Sequence, residues 1–205
     1  MIEEAQRLGQ QRLQFLDPEF ISWKYGDEDI QTVADYIFQV LAASEGKDYI
    51  VGAYNSKSDW HWIAVVIDLT TASVIYMDSL DHPQDSYKLI KTATDRAWES
   101  FMQLEAAREK HGTERQLYHC FSFQCNKQPP GNTQCGFYTC SYMQALVSAM
   151  PKQILDGNHI LQWSLPESAL QEDDLLSIRE RICKFINQEI LEKNGKYYLA
   201  NSHTT

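Results

Sequence analysis

Two runs of β-branched and aromatic residues stand close together in this chain: Trp60-His61-Trp62-Ile63-Ala64-Val65-Val66-Ile67-Asp68, then Ser73-Val74-Ile75-Tyr76-Met77-Asp78-Ser79. Both read as strands, and the polar link Asp68-Leu69-Thr70-Thr71 is short enough for a hairpin. A turn centred between Leu69 and Thr70 sets His61 directly opposite Asp78 on one face, where Cβ atoms of paired residues lie about 4.5–5.5 Å apart. A carboxylate then orients an imidazole at one end of a sheet. A slip of one residue in either strand would break the pairing. Taken singly, each is more simply a polar residue at a strand end.

A second segment supplies a nucleophile to go with them. Residues 126–134 hold two prolines, a glycine and two asparagines and read as a turn-rich loop. From Cys135 the pattern changes: Phe137, Cys140, Met143, Leu146, Val147 and Met150 recur at helical spacing, predicting a buried helix face up to about Pro151. Cys135 falls in the first turn, where unpaired N–H groups and the positive dipole end favour an anion. With a nearby cation, such a position lowers a thiol pKa from about 8.5 toward ~3.5–7.5. The alternative is an inert buried cysteine.

Length and charge bound what this chemistry can serve. With 205 residues, 43% hydrophobic and 12% aromatic, the chain reads as one domain over 1–205, its core at about 20–190 and a frayed polar tail at 196–205. No run approaches a membrane span, and the N-terminus has no signal-peptide apolar core, so the expectation is a soluble intracellular protein. A net charge of −10 argues against a phosphate backbone as ligand. Five cysteines without a secretion signal suggest reduced thiols. Cys120 with Cys125, and Cys135 with Cys140, are five apart, which converges on one ion neither along a strand nor around a helix, so no metal site is expected. Cys120, Cys140 and Cys183 read as small core residues, with Cys125 undecided.

The remaining segments predict an α+β fold. Residues 2–15 read as a polar lead-in open to a helix, and Ile30, Val33, Ile37, Val40 and Leu41 as a helical stripe. A strand at Tyr49–Tyr54 joins the hairpin. Residues 84–109 read as one long charged helix docking through Leu89, Ala93, Ala97 and Phe101, followed by a strand over Tyr118–Gln124. A linker with Trp163 and Pro166 leads to a last helix at about Gln171–Leu191, packing through Leu175, Ile178, Ile182, Phe185 and Ile186. Helices at both ends of a mostly antiparallel sheet give the class.

The order His61-Trp62, Asp78-Ser79, Gln128, Cys135-Gly136 resembles the ubiquitin-like-protein-specific (SUMO) cysteine proteases, an adenain-like family with a papain-like fold. The form Gln128-Pro-Pro-Gly-Asn-Thr-Gln-Cys-Gly-Phe-Tyr-Thr-Cys is closest to the branch associated with plant transposons. The resemblance is strong over about 47–150 and continues weakly through Pro166-Glu167 and the helix holding Arg179 and Phe185. It implies Cys135 as nucleophile, His61 as general base and then acid, and Asp78 as the group fixing the imidazole tautomer. Gln128 would donate its amide to the oxyanion, with Gln124 or Gln134 as less favoured substitutes. Trp62, or Trp60 on the same strand face by period 2, would lid a narrow tunnel beside Gly136 for a Gly-Gly tail, excluding residues that carry a Cβ. An ordinary strand aromatic is an equal reading of Trp62.

The implied function is a cysteine isopeptidase cleaving after the C-terminal Gly-Gly of a SUMO-like modifier through a thioester. It needs no cofactor and has the modifier and its conjugates as partners; nuclear residence is implied by the resemblance alone. Three departures stand out. Gln134 replaces an aspartate common before the nucleophile, Gln128 lies seven residues before Cys135, one more than in many relatives, and Trp23 alone answers to the N-terminal tryptophan signature. The rivals are a catalytically degenerate modifier-binding module and an acyltransferase using the same triad.

Overall fold

The computed structural model describes residues 1–22, 29–56, 60–111, 116–154, 160 and 163–198. Trp23 and most of the polar tail lie outside the described residues. Two compact units divide the chain, Met1–Ala169 and Leu170–Thr205.

The first unit is built on a five-stranded sheet in the order β1 (Leu13–Phe15), β2 (Tyr49–Asn55), β3 (Trp62–Asp68), β4 (Ser73–Met77), β5 (Tyr118–Cys120). The three central strands are antiparallel and the two short edges parallel. Each parallel edge follows from its connection. The return from β1 to β2 runs through α2 (Ile30–Ala42), and that from β4 to β5 through a 3-10 turn (Gln84–Tyr87), α3 (Lys88–Phe101) and α4 (Glu105–His111).

Along β3, Ile63, Val65 and Ile67 join Val33, Ile37 and Leu41 of α2 and Ile90, Ala93, Ala97 and Trp98 of α3 in one core. The alternate residues Ala64 and Val66 are equally buried, on the face opposite by period 2. α5 (Cys135–Ile154) packs against this same strand. Each fully buried Ile or Val here contributes about 1.5–3 kcal/mol. Gly52 of β2 is required by close approach, because a Cβ there would lie 2.9 Å from both Ile21 and Leu16.

The hairpin register differs from the sequence reading. Asp68 pairs with Ser73 and Ala64 with Met77, so the turn is centred between Thr70 and Thr71, and His61 is not directly opposite Asp78. The cause is Asp68, whose Oδ1 accepts from Thr70 N (2.8 Å), Thr70 Oγ1 (2.7 Å) and Thr71 N (3.3 Å). This side-chain turn shifts the four-residue loop to Leu69–Ala72, with Ala72 at φ +51°. His61 and Asp78 end just outside the ladder, offset by two positions and therefore still on one face, a diagonal that long side chains can span.

Other elements depart for equally local reasons. The lead-in is a short helix, α1 (Ile2–Arg7), followed by strand β1. The long helix is broken at 102–104, where buried Met102 turns inward and Gln103 N and Leu104 N bond to carbonyls three residues back. β5 ends at Cys120 instead of reaching Gln124. On α5 the buried line runs through Tyr138, Tyr142 and Leu146, while Phe137, Cys140 and Met143 are half-buried, so tyrosines carry much of the face that the sequence assigns to an apolar stripe. Cys120 and Cys140 are intermediate and Cys183 is exposed, not the core residues expected, while Cys125, left open by the sequence, is the fully buried thiol.

The second unit holds α6 (Glu172–Phe185), opened by a capping box between Gln171 and Asp174 and continued as a π-helical turn over Ile186–Leu191. Leu175 and Ile178 are buried, but Ile182, Phe185 and Ile186 are exposed and do not extend the predicted packing stripe.

Candidate active site

His61 sits one residue before β3, its carbonyl accepting from Ser56 N (2.9 Å) to close the β2–β3 connection. Asp78 sits one residue beyond β4. Both are 2% exposed, and His61 Nε2 donates to Asp78 Oδ1 at 2.6 Å.

Asp78 is saturated with donors. Oδ1 also accepts from Leu80 N (2.8 Å), and Oδ2 from Tyr87 Oη (2.6 Å), His82 Nδ1 (2.9 Å) and His82 N (3.2 Å). Burial alone would raise its pKa, but the bonds from His61, Tyr87 and Leu80 hold it well below the usual carboxylate range. Its backbone carbonyl accepts from Lys127 Nζ (2.8 Å) and Cys125 Sγ (3.4 Å), and Lys127 also pairs with Asp81.

Cys135 is the first residue of α5, half-buried, and the loop before it is locked by its own polar groups. Gly131 adopts φ +77°, open to glycine at little cost; Asn132 N bonds to the Pro129 carbonyl (3.1 Å), and Asn132 Oδ1 accepts from Gln134 N (2.7 Å). The Gln134 carbonyl accepts the first helical bonds, from Phe137 N and Tyr138 N.

The Cys135 thiol and the His61 ring interact closely enough for each to shift the other's pKa. With Nε2 committed to Asp78, Nδ1 is the ring nitrogen left for the thiol. Burial would raise the thiol pKa; the His61 bond, the backbone N–H of Trp62, the His61 charge and the Gly136 N–H outweigh it and hold the thiol below its ordinary value. Burial likewise pulls His61 down, yet its bonds to Asp78 and Cys135 push it up to about 9. Both shifts favour the thiolate–imidazolium form of the pair over the neutral form.

The remaining predicted residues fall into place unevenly. Gln128 is buried with Oε1 accepting from Ser79 Oγ (2.7 Å), while Nε2 donates to the Asn132 carbonyl (2.6 Å). Gly136 lies against Trp62, whose Cδ1 would be 3.7 Å from an added Cβ, an ordinary contact. Trp60 and Trp62 do not share a face as period 2 implied. Trp60 lies outside β3 at φ +54° and is 68% exposed, whereas Trp62 is half-buried. The positive φ breaks the alternation.

Spacing along the chain gave no signal for Tyr87, His82, Cys125 or Lys127 around Asp78. The His82 ring also packs on His61 at 4.4 Å between centroids. His61, Asp78 and His82 have ligand-type atoms within 4.8 Å of one another and are the side chains that could hold a cation here, although their hydrogen bonds to one another already engage those atoms. Among the described residues, no helix is long and apolar enough to cross a membrane.

The Ulp1 protease family, C-terminal catalytic domain, matches residues 10–194 of this chain. Among the solved structures that share its fold are the following three. The SUMO protease Ulp1 with its catalytic cysteine oxidised to a sulfenic acid is 18% identical over 92% of this chain and 74% of that one, at a TM-score of 0.56. The C-terminal Ulp1 protease domain in complex with Smt3, the yeast ortholog of SUMO, is 19% identical over 85% and 67%, at 0.52. The Ulp1-like SUMO protease catalytic domain of Chaetomium thermophilum is 16% identical over 96% and 70%, at 0.55. No curated protein matches the chain.

Proposed function

This chain belongs to the Ulp1 protease family, and from that premise we propose that it is a cysteine isopeptidase that cleaves after the C-terminal Gly-Gly of a SUMO-like modifier. The observation that carries the reading is one imidazole, His61, bonded to buried Asp78 and electrostatically coupled to a thiol at a helix N-terminus. In this reaction the Cys135 thiolate attacks the carbonyl of the terminal glycine. The tetrahedral oxyanion is met by the Gln128 amide and the Cys135 backbone N–H. His61 gives its proton to the leaving amine, leaving a thioester. Water, deprotonated by His61, then releases the modifier.

Trp62 and Gly136 lie in contact beside the nucleophile and line the channel for the tail, with Trp60 offered to the body of the modifier from its exposed position. The Gln128-Pro-Pro-Gly-Asn-Thr motif supports a place in the transposon-associated branch, and the net charge of −10 favours a protein over a nucleic acid as partner. The test is a panel of Gly-Gly-terminated modifiers bearing a C-terminal electrophile. Labelling at Cys135 by at least one is expected, and a folded protein labelled by none refutes the assignment.

A further inference from the structure

The loop from Gln128 to Cys135 is long for its role, and its Pro-Pro-Gly turn offers little to aim an amide. The grip on Gln128 comes from elsewhere. Ser79 holds it at two points: the Ser79 carbonyl accepts from Gln128 N (3.0 Å), and the Ser79 hydroxyl donates to Gln128 Oε1 (2.7 Å). The neighbouring residue Asp78 accepts from Lys127 Nζ and Cys125 Sγ through its carbonyl, so the segment Cys125–Gln128 is clamped along Asp78-Ser79.

The orientation of the amide is fixed by acceptor chemistry. The Asn132 carbonyl can only accept, so the group facing it at 2.6 Å must be the NH₂, and Oε1 is then the atom that meets Ser79. A flipped amide would set two acceptors against each other. Ser79 is 1% exposed and Gln128 5%, so without the hydroxyl Oε1 would be a buried acceptor with no donor. One Nε2 hydrogen is spent on Asn132, and the other has no acceptor among the described residues.

We infer that Ser79 is a positioning residue: it pins the Gln128 amide so that its second Nε2 hydrogen is held ready as the oxyanion donor. Residues 78 and 79 thus set the imidazole's carboxylate and the oxyanion's donor from consecutive positions of one turn. The inference rests on the reading of Gln128 as that donor.

A double-mutant cycle on a Gly-Gly-terminated SUMO amide substrate tests it. Gln128→Ala is expected to lower kcat by about 10²-fold, as loss of an oxyanion donor does. Ser79→Ala, which only misaims the donor, should lower kcat by about 10-fold with KM unchanged. Ser79→Ala in the Gln128→Ala background should cost nothing further. Wild-type kcat in Ser79→Ala, or a Ser79→Ala loss repeated in full on the Gln128→Ala background, overturns the positioning role. An unchanged kcat in Gln128→Ala instead removes the donor reading beneath it.

A readout free of turnover accompanies the cycle. The Gln128 side-chain amide resonances, identified by their disappearance in Gln128→Ala, should exchange with solvent about 10-fold faster in Ser79→Ala, since the pinned amide loses one of its two partners. Unchanged exchange overturns the inference whether or not the protein is an active protease.

Discussion

Replacing Tyr87 by Phe removes one oxygen from the network around Asp78 and nothing else. Tyr87 is fully buried, its ring packed on Tyr76 at 4.9 Å and Phe121 at 5.3 Å between centroids, contacts that phenylalanine keeps. The lost bond is the 2.6 Å donation to Asp78 Oδ2. Burial first, then the Asp78 charge, raise the Tyr87 pKa far above its usual value, so the hydroxyl remains a donor at every working pH. A hydrogen bond to a buried charge contributes about 1.5–3 kcal/mol. Oδ2 keeps its two bonds from His82, so the carboxylate is not orphaned and the lower part of that range applies.

At about 2–4 °C per kcal/mol for a chain of this size, the melting midpoint should fall by roughly 3–8 °C. The assay is urea unfolding at pH 7, followed by tryptophan fluorescence alongside thermal melting. Tyr36→Phe serves as the control, because its hydroxyl meets Asp17 N at a half-exposed site. The Tyr87→Phe deficit should be complete above the ordinary carboxylate range and disappear only as pH falls through the depressed value of folded Asp78. A midpoint shift no larger than that of Tyr36→Phe would refute the argument.

Further expectations are these. Cys135→Ala should abolish turnover while leaving modifier binding intact, as measured by calorimetry; a variant that still cleaves places the chemistry on another residue. Alkylation of Cys135 by iodoacetamide, read by peptide mass spectrometry, should persist below the ordinary thiol range and change slope through about pH 9 as His61 loses its proton. The raised His61 contributes stability fully below its ordinary 6.5, and that contribution is lost as pH rises to about 9. The melting gap between wild type and His61→Gln should close over that window. Trp60→Gly relieves a positive φ at an exposed site and should hold or raise the unfolding free energy, by up to about 1 kcal/mol, while KM rises. An unchanged KM would remove Trp60 from the substrate surface.

The parts of this architecture readable from sequence were those with a period or a punctuation mark. The α2 stripe, the β3 and β4 runs and the switch from loop to helix at Cys135 all announce themselves that way, and each stands within a residue or two of its predicted place. What escaped depended on single side chains bonding to backbone. Asp68 moved the centre of a turn by one residue, and Met102 broke a helix that composition alone would continue. His61 and Asp78 meet even though their predicted register was wrong, because a shift of two positions preserves the face of a strand. The donors around Asp78 come from three separate segments whose convergence only the tertiary fold creates.

The Tyr142 hydroxyl, two turns along α5, donates to the carbonyl of Asn126 at the start of the loop before Cys135. Tyr142 is completely buried, so the loop is tied by its root to the interior of the helix that follows it. Opening the loop thus requires that helix to yield with it, and the two form one cooperative unit of local unfolding. A segment with the composition of a protease-sensitive surface turn should accordingly resist nicking for as long as α5 stays folded.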